Sequence, residues 1–176
     1  HAIALAEQQG WTRPIATQLP YNLLSRDAER ALIPMGRTFD VSVTAWALLG
    51  GGVLTGKYRR PDATTRYEGA SEKALAAADK LVTFAEKIGR SPSQVAINWV
   101  WQQDKVIPIL GARTLAQMED NLGALEFTLS EEQIAELNAL SDFNVGFPMS
   151  FLTGENVRNL VFGETYARLD NHRQVV

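Results

Sequence analysis

Residues 41–49, VSVTAWALL, are rich in β-branched side chains, nearly continuously apolar, and run straight into Gly50-Gly51-Gly52. This run limits the fold more than any other feature of the chain. A strand with one wet face alternates polar and apolar side chains. A strand without that alternation is buried on both faces, the usual condition of a parallel sheet covered by helices. The three glycines mark a loop at its end. Residues 15–19, closed by Pro20, and residues 106–110, closed by Gly111, read as two further short strands.

The segments between the strands have helical period. Residues 2–9 read as the tail of a helix stopped by Gly10. Residues 26–38 read as a helix with Asp27 as candidate N-cap and Ala31, Leu32 and Met35 at helical spacing. Residues 59–69 are polar and aperiodic, a surface loop, and residues 71–88 form a long helix ended by Gly89. Ser91-Pro92-Ser93-Gln94 combines a capping serine, a proline in the first turn and a glutamine three residues on, which opens another helix to about residue 103. Thr114…Gln117 and Ser130…Gln133 repeat the capping pattern, and residues 155–163 fit a last helix.

This strand–helix rhythm describes βα units in one α/β domain over residues 1–176. A closed (β/α)8 barrel takes about 250 residues and eight strands, so three strands supply only part of one. The chain begins at His1, already inside a helical pattern, and a front segment is expected to precede it. The chain has no cysteine, which removes disulfides, thiolate metal sites and cysteine nucleophiles. Two histidines, His1 and His172, are too few for a histidine-based metal or catalytic cluster. A net charge of -3 offers no electrostatic attraction for nucleic acid or an anionic membrane. No apolar run approaches the roughly 18 residues of a membrane span, and the first residues lack the pattern of a signal peptide. A cytoplasmic protein is expected.

Three motifs then narrow the reading. QLPYNLLSRDAE, residues 18–29, resembles the aldo-keto reductase pattern Gln-x-x-Tyr-Asn-Leu-Leu-x-Arg-x-x-Glu. AWALLGGGVLTGKY, residues 45–58, resembles that family's strand ending in an aromatic, followed by a glycine loop and Leu-Thr-Gly-Lys-Tyr. ILGARTLAQMEDN, residues 109–121, resembles its Ile-Pro-Gly-x-Arg…Gln…Asn segment. The three occur in the family's order. The resemblance implies the last three strands of a (β/α)8 barrel that reduces carbonyls with NADPH. The catalytic Tyr, Lys, Asp and His of such enzymes lie on the first four strands, which this chain does not contain.

The resemblance also implies a set of NADP(H) contacts, each with a plainer alternative. Gln18 would face the nicotinamide carboxamide, or be a polar side chain satisfied inside a barrel. Trp46 would stack on the nicotinamide ring, or be a core tryptophan. Leu49, Gly50, Gly52 and Leu54 would bring bare backbone to the pyrophosphate, or make an ordinary tight turn. Lys57 and Arg66 would pair with phosphates, or be solvated cations. Gly111 precedes Arg113, which would meet the adenosine 2′-phosphate at a helix start. Gln117 and Asn121, spaced to share a helix face, would reach the adenosine, with Asp120 as a further adenine contact. Gln117 also fits a purely structural capping box with Thr114. Two departures stand out: the family's Ser-Pro after the stacking aromatic is Ala47-Leu48 here, and the proline before Gly111 is Leu110.

Two roles follow. The chain is part of an NADPH-dependent reductase, completed by the rest of a barrel and acting on a small carbonyl compound, or it is a half-barrel that binds or self-associates without turnover. Its partner is accordingly the remaining barrel half or another copy of itself. Phe143, Phe147 and Phe151 would line a substrate pocket or cover the outside of the barrel.

Overall fold

The computed structural model describes residues 1–141 and 143–169, so His172 lies outside the described residues. The order is α1 (Ala2–Gln9), β1 (Ala16–Pro20), α2 (Leu32–Phe39), β2 (Ser42–Trp46), α3 (Glu72–Lys87), α4 (Pro92–Trp101), β3 (Val106–Pro108), α5 (Leu115–Leu122), α6 (Glu131–Asn138), α7 (Met149–Leu152) and α8 (Glu155–Phe162). The strands form one sheet in the order β1-β2-β3, parallel throughout. Gln18 pairs with Thr44, Pro20 with Trp46, and Thr44 with Ile107. This is an α/β architecture holding three adjacent parallel strands of a partial (β/α)8 barrel.

Side chains alternate across the pleat. Leu19, Val43, Ala45 and Val106 are buried on the helix side, where they join Leu81, Phe84, Ala85, Val95, Trp99 and Val100 in the core. Gln18, Trp46 and Ile107 stand on the opposite side and are exposed. In a closed barrel that second face is the inside.

Local chemistry explains most of the helix boundaries. Ser91 and Ser130 each accept from the backbone N–H three residues on, and Gln94 and Gln133 return the bond to the capping residue. Residues 26–38 are not one helix, however. Asp27–Arg30 form a short 3-10 turn, the chain bends at Ala31, and α2 starts at Leu32. Pro34 is the reason: within a continuous helix its ring would collide with the carbonyl of Arg30, whereas in the first turn of α2 its missing N–H costs nothing. Asp27 therefore does not cap the helix through its side chain.

The strands are shorter than the apolar runs that contain them. β2 stops at Trp46 because Ala47 turns into the left-handed region at φ +58°. Beyond α6 the chain packs chiefly on itself. Phe147 and Phe151 are exposed and face each other at 6.3 Å, while Phe143 lies beneath the guanidinium groups of Arg26 and Arg30. No helix among the described residues is long and apolar enough to cross a membrane.

Candidate functional site

Because the strands are parallel, all three end on the same side of the sheet, and the segments that follow them meet there. Gln18 and Trp46 lie on the open face two register positions apart, on neighbouring strands. Trp46 is 46% exposed, so its ring is available to a planar ligand and is not a core tryptophan. Among the described residues the Gln18 amide has no hydrogen-bond partner, so its donor and acceptor are both free.

Three consecutive glycines with positive φ make up the loop after β2: Gly50 at 55°, Gly51 at 68° and Gly52 at 95°. Left-handed conformations in succession are inexpensive only without a Cβ. Leu48 and Leu54 bury their side chains in the core and Leu49 packs against it, which pins the loop from below. Inside the loop, Gly50 N–H donates to Ala47 and both Gly52 and Leu54 N–H donate to Leu49.

The outer side of the loop is covered by two side chains. A Cβ on Gly52 would come within 2.7 Å of the Lys57 stem, and one on Gly51 within 2.3 Å of the Tyr67 ring. Lys57 Nζ donates to the Thr64 carbonyl at 3.0 Å, and the Tyr58 hydroxyl accepts from Tyr67 N–H at 3.1 Å. The polar loop of residues 60–70 is thereby folded back over the glycines. Arg66, beside Tyr67, is exposed and pairs with no described residue.

The segment after β3 is joined to the same end, since Ile109 N–H donates to the Ala45 carbonyl at 2.7 Å. Thr114 caps α5 by accepting from Gln117 N–H at 3.2 Å. The return bond lands one residue earlier than a capping box would place it: Gln117 Oε1 accepts from Arg113 N–H at 2.8 Å. Asn121 is buried and its Nδ2 donates to the Gly111 carbonyl at 3.3 Å. Gly111, Arg113, Gln117 and Asn121 thus form one linked turn. The Arg113 guanidinium is exposed and pairs with no described residue. Asp120 points elsewhere, taking bonds from Ser91 Oγ at 3.0 Å and Gln94 Nε2 at 3.1 Å at the start of α4.

Much of the first motif does structural work. Tyr21 is fully buried and its hydroxyl donates to Glu29 Oε1 at 2.8 Å. Burial, reinforced by the Glu29 charge, pushes the phenol well above its ordinary pKa. Arg26 clasps Glu29 and lies over the Trp99 ring. Asn22 reaches from this motif to the Ala47 carbonyl at 2.9 Å. The contributions of Asn22 and Tyr67 to the loop were missed at the level of sequence. The signals for Asn22 were its place in the Tyr-Asn-Leu-Leu motif and an asparagine two residues after the strand-ending Pro20, a common turn residue.

Among the described residues no cluster of three or more His, Asp or Glu residues is arranged to hold a metal. The site offers instead a free amide, an exposed indole, a glycine loop whose N–H groups at residues 50, 52 and 54 are engaged within the loop, and the exposed cations Arg66 and Arg113. These donors suit a phosphorylated, planar-ringed ligand.

Comparison with known proteins identifies the family. The profile of the Aldo/keto reductase family matches residues 2–142. The chain is 35% identical over 149 residues to Protein tas of Escherichia coli, covering 77% of this chain and 42% of that protein. It is 32% identical over 143 residues to a probable aryl-alcohol dehydrogenase of Saccharomyces cerevisiae, covering 75% of this chain and 44% of that protein. Norsolorinic acid reductase of Emericella nidulans is 32% identical over 149 residues, covering 84% of this chain and 38% of that protein. Among solved structures, the glycerol dehydrogenase of Gluconobacter oxydans superposes with a TM-score of 0.64 at 26% identity, covering 79% of this chain and 52% of that one. The chain therefore spans about half the length of the relatives it matches. With its motifs in order, its strands parallel and its profile matched from residue 2 to residue 142, this chain belongs to the aldo/keto reductase family of oxidoreductases.

Proposed function

We propose that this chain supplies the NADP(H)-holding side of a cytoplasmic carbonyl reductase. The supporting observation is the convergence at one end of the sheet of the Gln18 amide, the Trp46 ring, the glycine loop and the unpaired Arg113. Bound NADPH supplies the hydride that reduces a carbonyl carbon. Trp46 offers a face on which the nicotinamide ring stacks, and Gln18 offers a donor and an acceptor to its carboxamide. The backbone of Leu49–Leu54 approaches the pyrophosphate, and Lys57 and Arg66 bring positive charge to it. Arg113, at the start of α5, pairs with the 2′-phosphate, where a helix N-terminus also favours an anion.

Gln117 and Asn121 shape the turn that presents Arg113; the exposed Gln117 keeps its amide N–H groups for the adenosine, while the buried Asn121 acts through the turn. Asp120 is engaged with α4, so its part is to fix that turn in place. The proton delivered to the reduced oxygen comes from outside these 176 residues, as does most of the pocket for the carbonyl substrate. The remaining barrel strands, in a longer chain or from a partner, complete the enzyme.

Titration calorimetry with NADP(H) and NAD(H) tests the reading. NADP(H) is expected to bind more tightly, and Arg113→Ala to remove most of the difference, on the order of 1–3 kcal/mol for a charged hydrogen bond. Equal affinity of the unmodified protein for both cofactors overturns it.

A further inference from the structure

Asn22 is 3% exposed, and both ends of its carboxamide are engaged. Oδ1 accepts from Leu24 N–H at 2.8 Å, a local bond that shapes the turn after β1. Nδ2 donates to the Ala47 carbonyl at 2.9 Å, 25 residues further along the chain. Ala47 is the point of backbone strain at the exit of β2, the only alanine with positive φ among the described residues. Its carbonyl also accepts from Gly50 N–H at 2.8 Å, so it anchors the first turn of the glycine loop.

The neighbouring contacts act in the same place. Tyr21 N–H donates to the Trp46 carbonyl at 3.2 Å, and Leu24 Cδ1 lies 3.3 Å from where a Gly50 Cβ would be. The turn after β1 therefore forms the floor of the loop after β2, and the Asn22 carboxamide ties the two together. Trp46 precedes the strained residue and the glycines follow it. A relaxation of Ala47 to negative φ would change the direction of the chain between the indole and the cradle.

We infer that Asn22 is a positioning residue: it holds Ala47 in the left-handed conformation and so sets the Trp46 ring and the glycine loop in the relative placement a dinucleotide needs. The ligand part of this statement rests on the function proposed above; the hold on the loop does not.

The test uses Asn22→Ser, which retains an acceptor for Leu24 N–H but is too short to reach Ala47, with Asn22→Asp as a second variant should the first not fold. Each is made alone and with Ala47→Gly, since glycine takes this φ without a Cβ penalty. Amide hydrogen exchange is followed for residues 49–56, with residues 95–100 of α4 as the control for global stability. Affinity is measured for NADPH and for adenosine 2′,5′-bisphosphate, which carries only the adenosine end. Losing the bond should speed exchange in the loop and weaken NADPH binding, each by about tenfold. Exchange in α4 and bisphosphate affinity should stay unchanged, and Ala47→Gly should recover much of the loss. Unaltered loop exchange in both Asn22 variants overturns the inference, as does an equal fall in affinity for both ligands. If the unmodified protein binds no NADPH, the proposed function fails, and the exchange data alone still decide whether Asn22 holds the loop.

Discussion

The Arg26 guanidinium grips the Glu29 carboxylate through two bonds, Nε to Oε1 at 2.7 Å and Nη2 to Oε2 at 2.8 Å, with side-chain exposures of only 11% and 5%. A third bond, from Nη1 to the Asn138 carbonyl at 3.0 Å, ties this pair to the end of α6. The pair joins the turn after β1 to an element more than a hundred residues away.

Removing one partner of such a pair leaves a buried, uncompensated charge. Arg26→Ala should therefore lower the unfolding free energy by about 3–5 kcal/mol, read as a lower midpoint in urea. A loss below ~1 kcal/mol, the scale of an exposed pair, would show that water reaches Glu29.

Tyr21 makes stability sensitive to alkali. Its phenol titrates near 10 when unfolded and is held protonated above that value in the fold, chiefly by burial. A raised folded pKa gives a contribution fully present below the unfolded value and lost as pH rises beyond it. Thermal unfolding midpoints should fall above pH 10, and the Tyr21→Phe variant should lose this part of the slope while starting from a lower stability, since the bond to Glu29 is gone.

Gly36 lies within α2, against the chain as it turns back into β2, and a Cβ there would lie 2.5 Å from the Val41 carbonyl oxygen, a backbone atom that cannot rotate away. Gly36→Ala is expected to destabilise by about 1–3 kcal/mol, the usual cost of overpacking. Gly69→Ala, where a Cβ meets nothing within 4 Å, should change stability by less than ~0.5 kcal/mol. Chemical denaturation of the two variants side by side checks both.

The open sheet face predicts association. Trp46, Ile107 and Ile109 are 46%, 54% and 42% exposed, and β1 and β3 are both edges. Such edges are templates for pairing unless they are blunted or covered. The purified chain should pair with the rest of a barrel when that is supplied, or otherwise with a second copy, most simply about a two-fold axis. Light scattering that finds a stable 19.4 kDa monomer at micromolar concentration would refute this.

Carbonyl reduction by these 176 residues alone should not exceed background. Tyr21 is buried against Glu29, Tyr58 and Tyr67 are engaged at the glycine loop, and Tyr166 packs on Phe162. Turnover of NADPH with a small aldehyde, abolished by changing one of these tyrosines, would reveal a proton donor of a different kind.

What could be read from the sequence was what neighbouring residues decide among themselves. The Ser91 and Ser130 caps are settled within four residues, because side chain and backbone partner lie in the same turn. The parallel sheet followed from apolar runs without alternation, and the glycine loop from three residues that tolerate positive φ. The limits of this reading appeared at once with Pro34, whose effect on Arg30 splits a helix that apolar spacing alone joins together. Tertiary structure decided every bond whose partner lies on another element. Gln117 and Asp120 both read as adenosine contacts, yet Gln117 turns back to Arg113 while Asp120 turns away to Ser91 and Gln94. Helical spacing places a side chain on a face, but which neighbour that face meets depends on how α5 packs against α4. Asn22 and Ala47 are 25 residues apart, and only the parallel register of β1 on β2 brings the carboxamide of one to the carbonyl of the other.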